Sequence, residues 1–205
     1  MKAKILVLGA AGKTGREVVA QALAAGHTVT AFVRDPGKLG RDDVAVAVGD
    51  ARSADDLRRA LRGQDAVIST LGSGIDAKQK LIEGSTKALL EAMPSAGVKR
   101  LVMLSTFAAS PTYKAKGVMK LASIVMKGMV ADKSAGETLL KRSDTDWTIV
   151  YATRLTDEPR SGGSRTVEGT LTDVGTISRA DVADALLSTL SDANSMRHSR
   201  VVTSR

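Results

Sequence analysis

The chain has 205 residues, a formal net charge of +8, 43% hydrophobic and 25% charged residues, and no cysteine, a composition ordinary for one globular domain with a full core. Without cysteine there is no disulfide, thiolate chemistry or Cys-type metal site, and His27 and His198 stand apart from any second ligand, so metal catalysis is not expected. No run approaches the ~18 apolar residues of a membrane span, and scattered Lys and Arg with only Phe32, Phe107, Tyr113, Trp147 and Tyr151 as aromatics make no base-stacking platform for nucleic acid.

Lys4-Ile-Leu-Val-Leu8 is an apolar run suited to a strand buried on both faces. Glycines recur at Gly9, Gly12 and Gly15, and from there Val18, Val19, Ala22 and Leu23 form one helical stripe. Strand, glycine turn and helix are the context of a dinucleotide fingerprint. Gly9 permits the sharp turn, Gly12 lets a pyrophosphate approach the backbone, and Gly15 lets the helix lie close. The amides of Ala11, Lys13 and Thr14 and the positive helix end then face the phosphates. Gly12-Lys13-Thr14 also looks like the end of a P-loop, but that motif needs glycine where Val7 stands.

Thr28–Val33 is the second strand and Val44–Val48 the third; the Asp35-Pro36-Gly37 link leaves room for one helical turn at most. The second strand ends Phe32-Val33-Arg34-Asp35, where an arginine accommodates a 2′-phosphate and an acid bonds the ribose hydroxyls. Arg34, with Lys38 a turn later, favours NADP(H) over NAD(H); Asp35 argues the other way, but Pro36 restrains it. Asp50-Ala51, ending strand three, is placed for the adenine, with Asp50 accepting from its amino group or simply capping its turn.

Ser53 and Asp56 box the start of a helix carrying Leu57, Ala60 and Leu61, ended by Gly63. Strand four, Ala66–Thr70, leads into Thr70-Leu71-Gly72, expected beside the cofactor's ribose and pyrophosphate, with Gly72 and Gly74 allowing the approach. Asp76 is the expected cap of a long helix through Leu81, Ile82, Ser85, Leu89, Ala92 and Met93, stopped at Pro94. Strand five is Arg100–Ser105. A helix through Leu139 and Leu140 precedes strand six, Trp147–Tyr151. The stretch from Thr153 to Gly169 is the least regular. Ser178 and Asp181 box a last helix through Val182, Leu186 and Leu190, and Val201-Val202 closes the sheet.

Alternating strands and helices predict an α/β fold: a single-domain, doubly wound parallel sheet, Rossmann-like, with helices on both faces and strand order 3-2-1-4-5-6. The acceptor pocket is expected mainly from residues 105–175. With no signal peptide read at the N-terminus, a cytoplasmic location is expected, as a monomer or homodimer, with no nucleic-acid or membrane partner.

Gly9-Ala-Ala-Gly-Lys-Thr-Gly15, Val33-Arg-Asp-Pro36, Gly49-Asp50, Leu101-Val-Met-Leu-Ser-Thr106, Asp146-Trp-Thr-Ile-Val150 and Ile177-Ser-Arg-Ala-Asp-Val-Ala183 together resemble the atypical short-chain dehydrogenase/reductases. The nearest groups are the NAD(P)H-binding proteins similar to flavin reductase/biliverdin reductase B and the NmrA-like proteins. The resemblance covers nearly the whole chain. It implies a Tyr-x-x-x-Lys pair, in which the tyrosine donates a proton and the lysine holds the nicotinamide ribose. Lys133 matches the lysine, but Met129 stands at the tyrosine, and Tyr113 is followed by Gly117 at the lysine spacing. The site's serine past strand five is matched by Ser105 or Thr106. The usual Arg-Pro after Asp-Trp-Thr-Ile-Val is replaced by Tyr151-Ala152.

A reaction needing little protein acid fits this departure: hydride delivered by NADPH to a small planar acceptor such as a flavin or quinone. Ser105, Thr106 and Lys133 would hold the nicotinamide half, and Tyr113 or Tyr151 would donate a proton or stack on the acceptor, or be a partly buried aromatic. The segment from Lys114 to Lys133, which includes Met119, Met126 and Met129, reads as an adaptable acceptor pocket or lid, as a plain core helix, or less well as a membrane-surface or dimer helix. The alternative function is a non-catalytic NADP(H)-binding sensor of the NmrA-like type; an isomerase, epimerase or dehydratase is disfavoured by the missing tyrosine.

Overall fold

A computed structural model describes residues 2–72, 79–110, 126–167 and 175–204. The elements in order are β1 (Lys4–Leu8), α1 (Lys13–Ala24), β2 (Thr28–Val33), β3 (Ala45–Val48), α2 (Ala54–Ala60), β4 (Ala66–Ser69), α3 (Leu81–Ala96), β5 (Arg100–Thr106), α4 (Lys127–Lys141), β6 (Asp146–Ala152), β7 (Arg154–Thr156), β8 (Ser164–Val167), β9 (Thr176–Ser178), α5 (Arg179–Leu190) and β10 (His198–Ser204). The link between β2 and β3 holds one 3-10 turn, Pro36–Lys38, as its length dictates.

The main sheet runs β3-β2-β1-β4-β5-β6-β10-β8, so the expected 3-2-1-4-5-6 order holds and continues through β10. Every pairing in it is parallel except β10 with β8. Strand alternation divides the core. Ile5 and Val7 face one cluster with Val18, Val19, Val182 and Leu186 from α1 and α5. Leu6 and Leu8 face the other, with Leu57, Leu89, Met93 and Leu140 from α2, α3 and α4. Both faces of β1 are thus covered, which is why its sequence is continuously apolar. The chain leaves β1 for β2 on one side and pairs with β4 on the other, so a cleft opens where the carboxyl ends of β1 and β4 diverge.

The local caps at Ser53 and Ser178 form, each side chain accepting from the backbone N–H three residues on. One expectation for α3 changes. The helix does not stop at Pro94 but runs to Ala96 and ends on Gly97 in the left-handed region. A proline in the last turn removes only one backbone bond, and Gly97 closes the end through Met93 and Pro94 carbonyls. Asp76 lies outside the described residues; at the start of α3 the two carboxylate oxygens of Asp132 of α4 accept from Ile82 N and Glu83 N at 3.0 Å each. Gly136 allows this close crossing: a Cβ there would stand 2.9 Å from Ile82 Cγ2 and Thr86 Oγ1. The irregular stretch after Thr153 contributes β7, which pairs with β9, and the antiparallel edge strand β8. No helix among the described residues is long and apolar enough to cross a membrane.

Candidate functional site

The glycine turn shapes the centre of the cleft. Gly9 has φ +78°, and a Cβ on it would meet Thr70 Oγ1 at 2.8 Å. Thr70 in turn bonds Leu8 O through both its N–H, at 2.9 Å, and its hydroxyl, at 3.0 Å, tying the ends of β1 and β4 together. Gly12 N closes the turn on Gly9 O at 2.9 Å. Gly15 is the tightest position, since its Cβ would lie 2.1 Å from Gly9 O. Helix α1 therefore starts hard against the turn, and it starts with no side-chain cap, which leaves its first amide donors for a ligand.

Two clefts of about 480 and 590 Å³ meet there and share Gly12, Thr70, Leu71 and Gly72 as walls. The first extends over Gly9 and Ala11 to Arg34, Lys38, Asp50 and Ala51. The second extends over Lys13, Thr14 and Gly15 to Ser105, Thr106 and Lys133. The structure thus brings all the expected cofactor residues along one groove at the carboxyl end of the sheet. Tyr113, Gly74 and residues 114–125 of the Met/Lys-rich segment lie outside the described residues; Met126 and Met129 wall the second cleft.

At the far end of the first cleft, Asp35 is engaged by its own turn. Its carboxylate accepts from Gly37 N at 3.0 Å and lies 4.0 Å from Lys38 Nζ. Arg34 lines the cleft, where its charge also acts on Asp50. Asp50 does cap its turn, accepting from Arg52 N at 2.9 Å, and its carboxylate also takes the Arg52 guanidinium at 2.8 Å. That guanidinium first, then the backbone N–H, holds the Asp50 carboxyl below the usual carboxylate range.

In the second cleft, Lys133 is buried and donates to Leu104 O at 3.2 Å and Leu71 O at 3.5 Å. Burial pushes its ammonium down to about 8, against the opposing pull of Glu137 and Asp132. Ser105 Oγ donates to Glu137 Oε1 at 2.6 Å, and the Tyr151 hydroxyl donates to Glu137 Oε2 at 2.5 Å. Tyr151 is therefore neither a stacking platform nor a donor facing the acceptor: its ring is 1% exposed within the α4-side core. Burial, then the Glu137 bond, pushes its hydroxyl far above a phenol's ordinary range.

Several lining or bracing residues escaped the sequence. Arg16 reaches from α1 to Ala11 O at 3.1 Å and Lys38 O at 2.6 Å, fastening the two turns that frame the first cleft. Arg154, Leu155 and Arg179 close the second. Asp157 bridges Lys13 at 2.6 Å and Arg179 at 2.5 Å across the rim, in water and hence weakly. Arg16, four residues after Gly12, had a positional signal; the others sit in the least regular stretch and at a helix start.

The architecture recurs in solved structures. The oxidoreductase ylbE from Lactococcus lactis superposes with a TM-score of 0.86 at 22% identity, over 98% of this chain and 91% of that one. ChuY, an anaerobillin reductase from Escherichia coli O157:H7, does so with a TM-score of 0.82 at 23% identity, over 98% and 97%. In sequence, the chain is 27% identical over 201 residues to the uncharacterized sugar epimerase YhfK of Bacillus subtilis, covering 93% of the chain and 89% of that protein. A family model described as NAD(P)H-binding matches residues 9–193. The chain belongs to this NAD(P)H-binding family.

Proposed function

We propose that the chain is an NADPH-dependent reductase that delivers hydride to a small planar acceptor such as a flavin or quinone. The observation that carries this reading is the continuity of the groove: a phosphate-ready turn at its centre, Arg34 at one end, and at the other a pocket walled by Leu104, Met126, Met129 and Leu155 around Lys133. The groove suits a dinucleotide on the chain's own features, because α1 has no side-chain cap and, among the described residues, a Cβ at Gly12 would meet only Gly9 O, at 3.2 Å. When bound, NADPH supplies the hydride. The glycine-turn amides hold its diphosphate, Lys133 and Thr106 orient its nicotinamide ribose, and the methionines exclude water and adapt to the acceptor's face. In this reading the whole of 1–205 serves the cofactor, residues 105–175 supply most of the acceptor pocket, and the protein works in the cytoplasm as a monomer or homodimer on a small molecule. ChuY, among the similar structures, is an anaerobillin reductase, which is in keeping with a small-molecule acceptor.

Asp35's engagement with its own turn supports NADPH over NADH, since Arg34 then meets the adenosine end without an acidic rival. Arg34→Ala is expected to weaken NADPH by about 10- to 100-fold and NADH by less than about threefold in calorimetric titrations; equal losses would remove the phosphate contact. The reaction is tested by following reduced-nicotinamide absorbance with flavins and quinones. Oxidation above background is expected with at least one of them. A second reading, a nucleotide sensor without turnover, is favoured by Met129 standing where the acid would be; tight NADPH binding with no oxidation across the panel would select it.

A further inference from the structure

Hydride transfer to a neutral quinone leaves an anion that must take a proton, and Met129 has none to give. Behind the second cleft, four polar side chains stand in line. Ser105 lines the cleft and touches Glu137 Oε1 at 2.6 Å; Glu137 Oε2 accepts from the Tyr151 hydroxyl at 2.5 Å; that hydroxyl accepts from Lys141 Nζ at 3.3 Å. Lys141 Nζ also lies 3.7 Å from Glu137 Oε2. Ser105 and Glu137 are each 3% exposed and Tyr151 1%, whereas the Lys141 side chain is 34% exposed. The line therefore begins in the cleft, crosses the α4-side core and ends in water. A buried carboxyl with two hydroxyls and an ammonium around it is costly to bury, and the hydrophobic packing of α4 on β5 and β6 has no need of it.

We infer that Ser105, Glu137, Tyr151 and Lys141 form a proton path from solvent to the acceptor, with Ser105 the member that touches it and Glu137 the positioning residue behind it. This rests on the reductase reading above. The donors already point inward from Lys141 through Tyr151 to Glu137. The Lys141 ammonium gives a proton to the Tyr151 oxygen as that hydroxyl gives its own to Glu137 Oε2. The Glu137 carboxyl turns so that the proton received on Oε2 faces the serine, and it then protonates Ser105 Oγ as Oγ releases its own proton to the acceptor anion, the serine hydroxyl having rotated from Glu137 to the cleft. Water reprotonates Lys141. No electrons move in these steps, because the hydride already carries both. Lys133 stands one helical turn before Glu137, whose carboxylate opposes the lowering that burial imposes on the Lys133 ammonium.

The test uses the full chain and two measurements. In the unliganded protein, the carboxylate stretch of Glu137 is taken from the infrared difference between wild type and Glu137→Gln. It is expected to shift in Ser105→Ala and again in Tyr151→Phe; a band unmoved by either overturns the path. In the NADPH-loaded protein, a neutral quinone is compared with a cationic phenothiazinium dye, which becomes neutral on accepting hydride and needs no proton. The quinone-to-dye ratio of kcat is expected to fall about tenfold or more in Glu137→Gln and to fall in Tyr151→Phe, the scale of a lost proton-transfer partner. A ratio unchanged in both variants overturns the path alone. Wild-type protein that oxidises NADPH with neither acceptor overturns the reductase reading, and the path with it.

Discussion

Gly12→Val is expected to leave the protein folded and to lower its affinity for both nicotinamide nucleotides by at least about 100-fold, or about 2.7 kcal/mol. Gly12 sits at φ −75° and ψ 162°, ordinary extended backbone that valine adopts readily. Among the described residues the only close neighbour for a Cβ there is Gly9 O at 3.2 Å, and beyond that the side chain would project into the groove where both clefts meet. The branched methyls would stand between the α1 amides and a diphosphate. Calorimetry gives the affinity, and an unchanged far-ultraviolet spectrum and unfolding midpoint show that only binding was lost. Retained binding would defeat the placement of the phosphates. Gly15, three residues on, makes the contrast: with Gly9 O only 2.1 Å from its ideal Cβ, a side chain there disrupts the turn itself.

The largest effect on stability is expected at Arg100, at the start of β5 and far from the groove. The residue is 7% exposed. It donates to Asp146 O at 2.6 Å, Thr148 Oγ1 at 2.8 Å, Thr189 O at 2.5 Å, Ser195 Oγ at 3.0 Å and Leu190 O at 3.3 Å. Burial lowers its pKa, and Asp146 and Asp192 oppose that. Two of its acceptors are the last carbonyls of α5, so one planar cation closes that helix and joins it to β6. Arg100→Ala leaves these carbonyls buried and unanswered and is expected to cost about 3 kcal/mol, or roughly 6–12 °C in Tm for a chain of this size. Urea unfolding measures it, with nucleotide affinity of the folded fraction unchanged. A loss below about 1 kcal/mol would mean that water replaces the guanidinium.

What the sequence reveals and what it conceals divide by distance along the chain. The buried strand β1, the glycine turn and the caps at Ser53 and Ser178 are each written within a few residues, because their partners lie three or four positions away. The strand order follows from the alternation of elements and the handedness of crossovers. Much of the groove's lining was legible because Gly9, Lys13, Arg34, Thr70 and Ser105 end a strand or begin a helix at the same edge of the sheet, whereas Arg154 and Leu155 lie in the irregular stretch. By contrast, Asp132 caps a helix start 50 residues earlier, and Glu137 meets Ser105 32 residues away; neither shows a local pattern. Arg100 read only as the first residue of strand five, since nothing near it in sequence announces the carbonyls it gathers. β7, β8 and β9 are three or four residues long, too short for a period to show.

The cap that Asp132 places on α3 has a bearing on redesign. Its carboxylate fastens one helix to the next, while the adjacent Lys133 reaches the groove from the same turn. The depth at which that ammonium sits is therefore set by a neighbour that never meets a ligand. Grafting a foreign α4 to recruit another acceptor would have to carry the aspartate along, or the lysine would arrive at the wrong height.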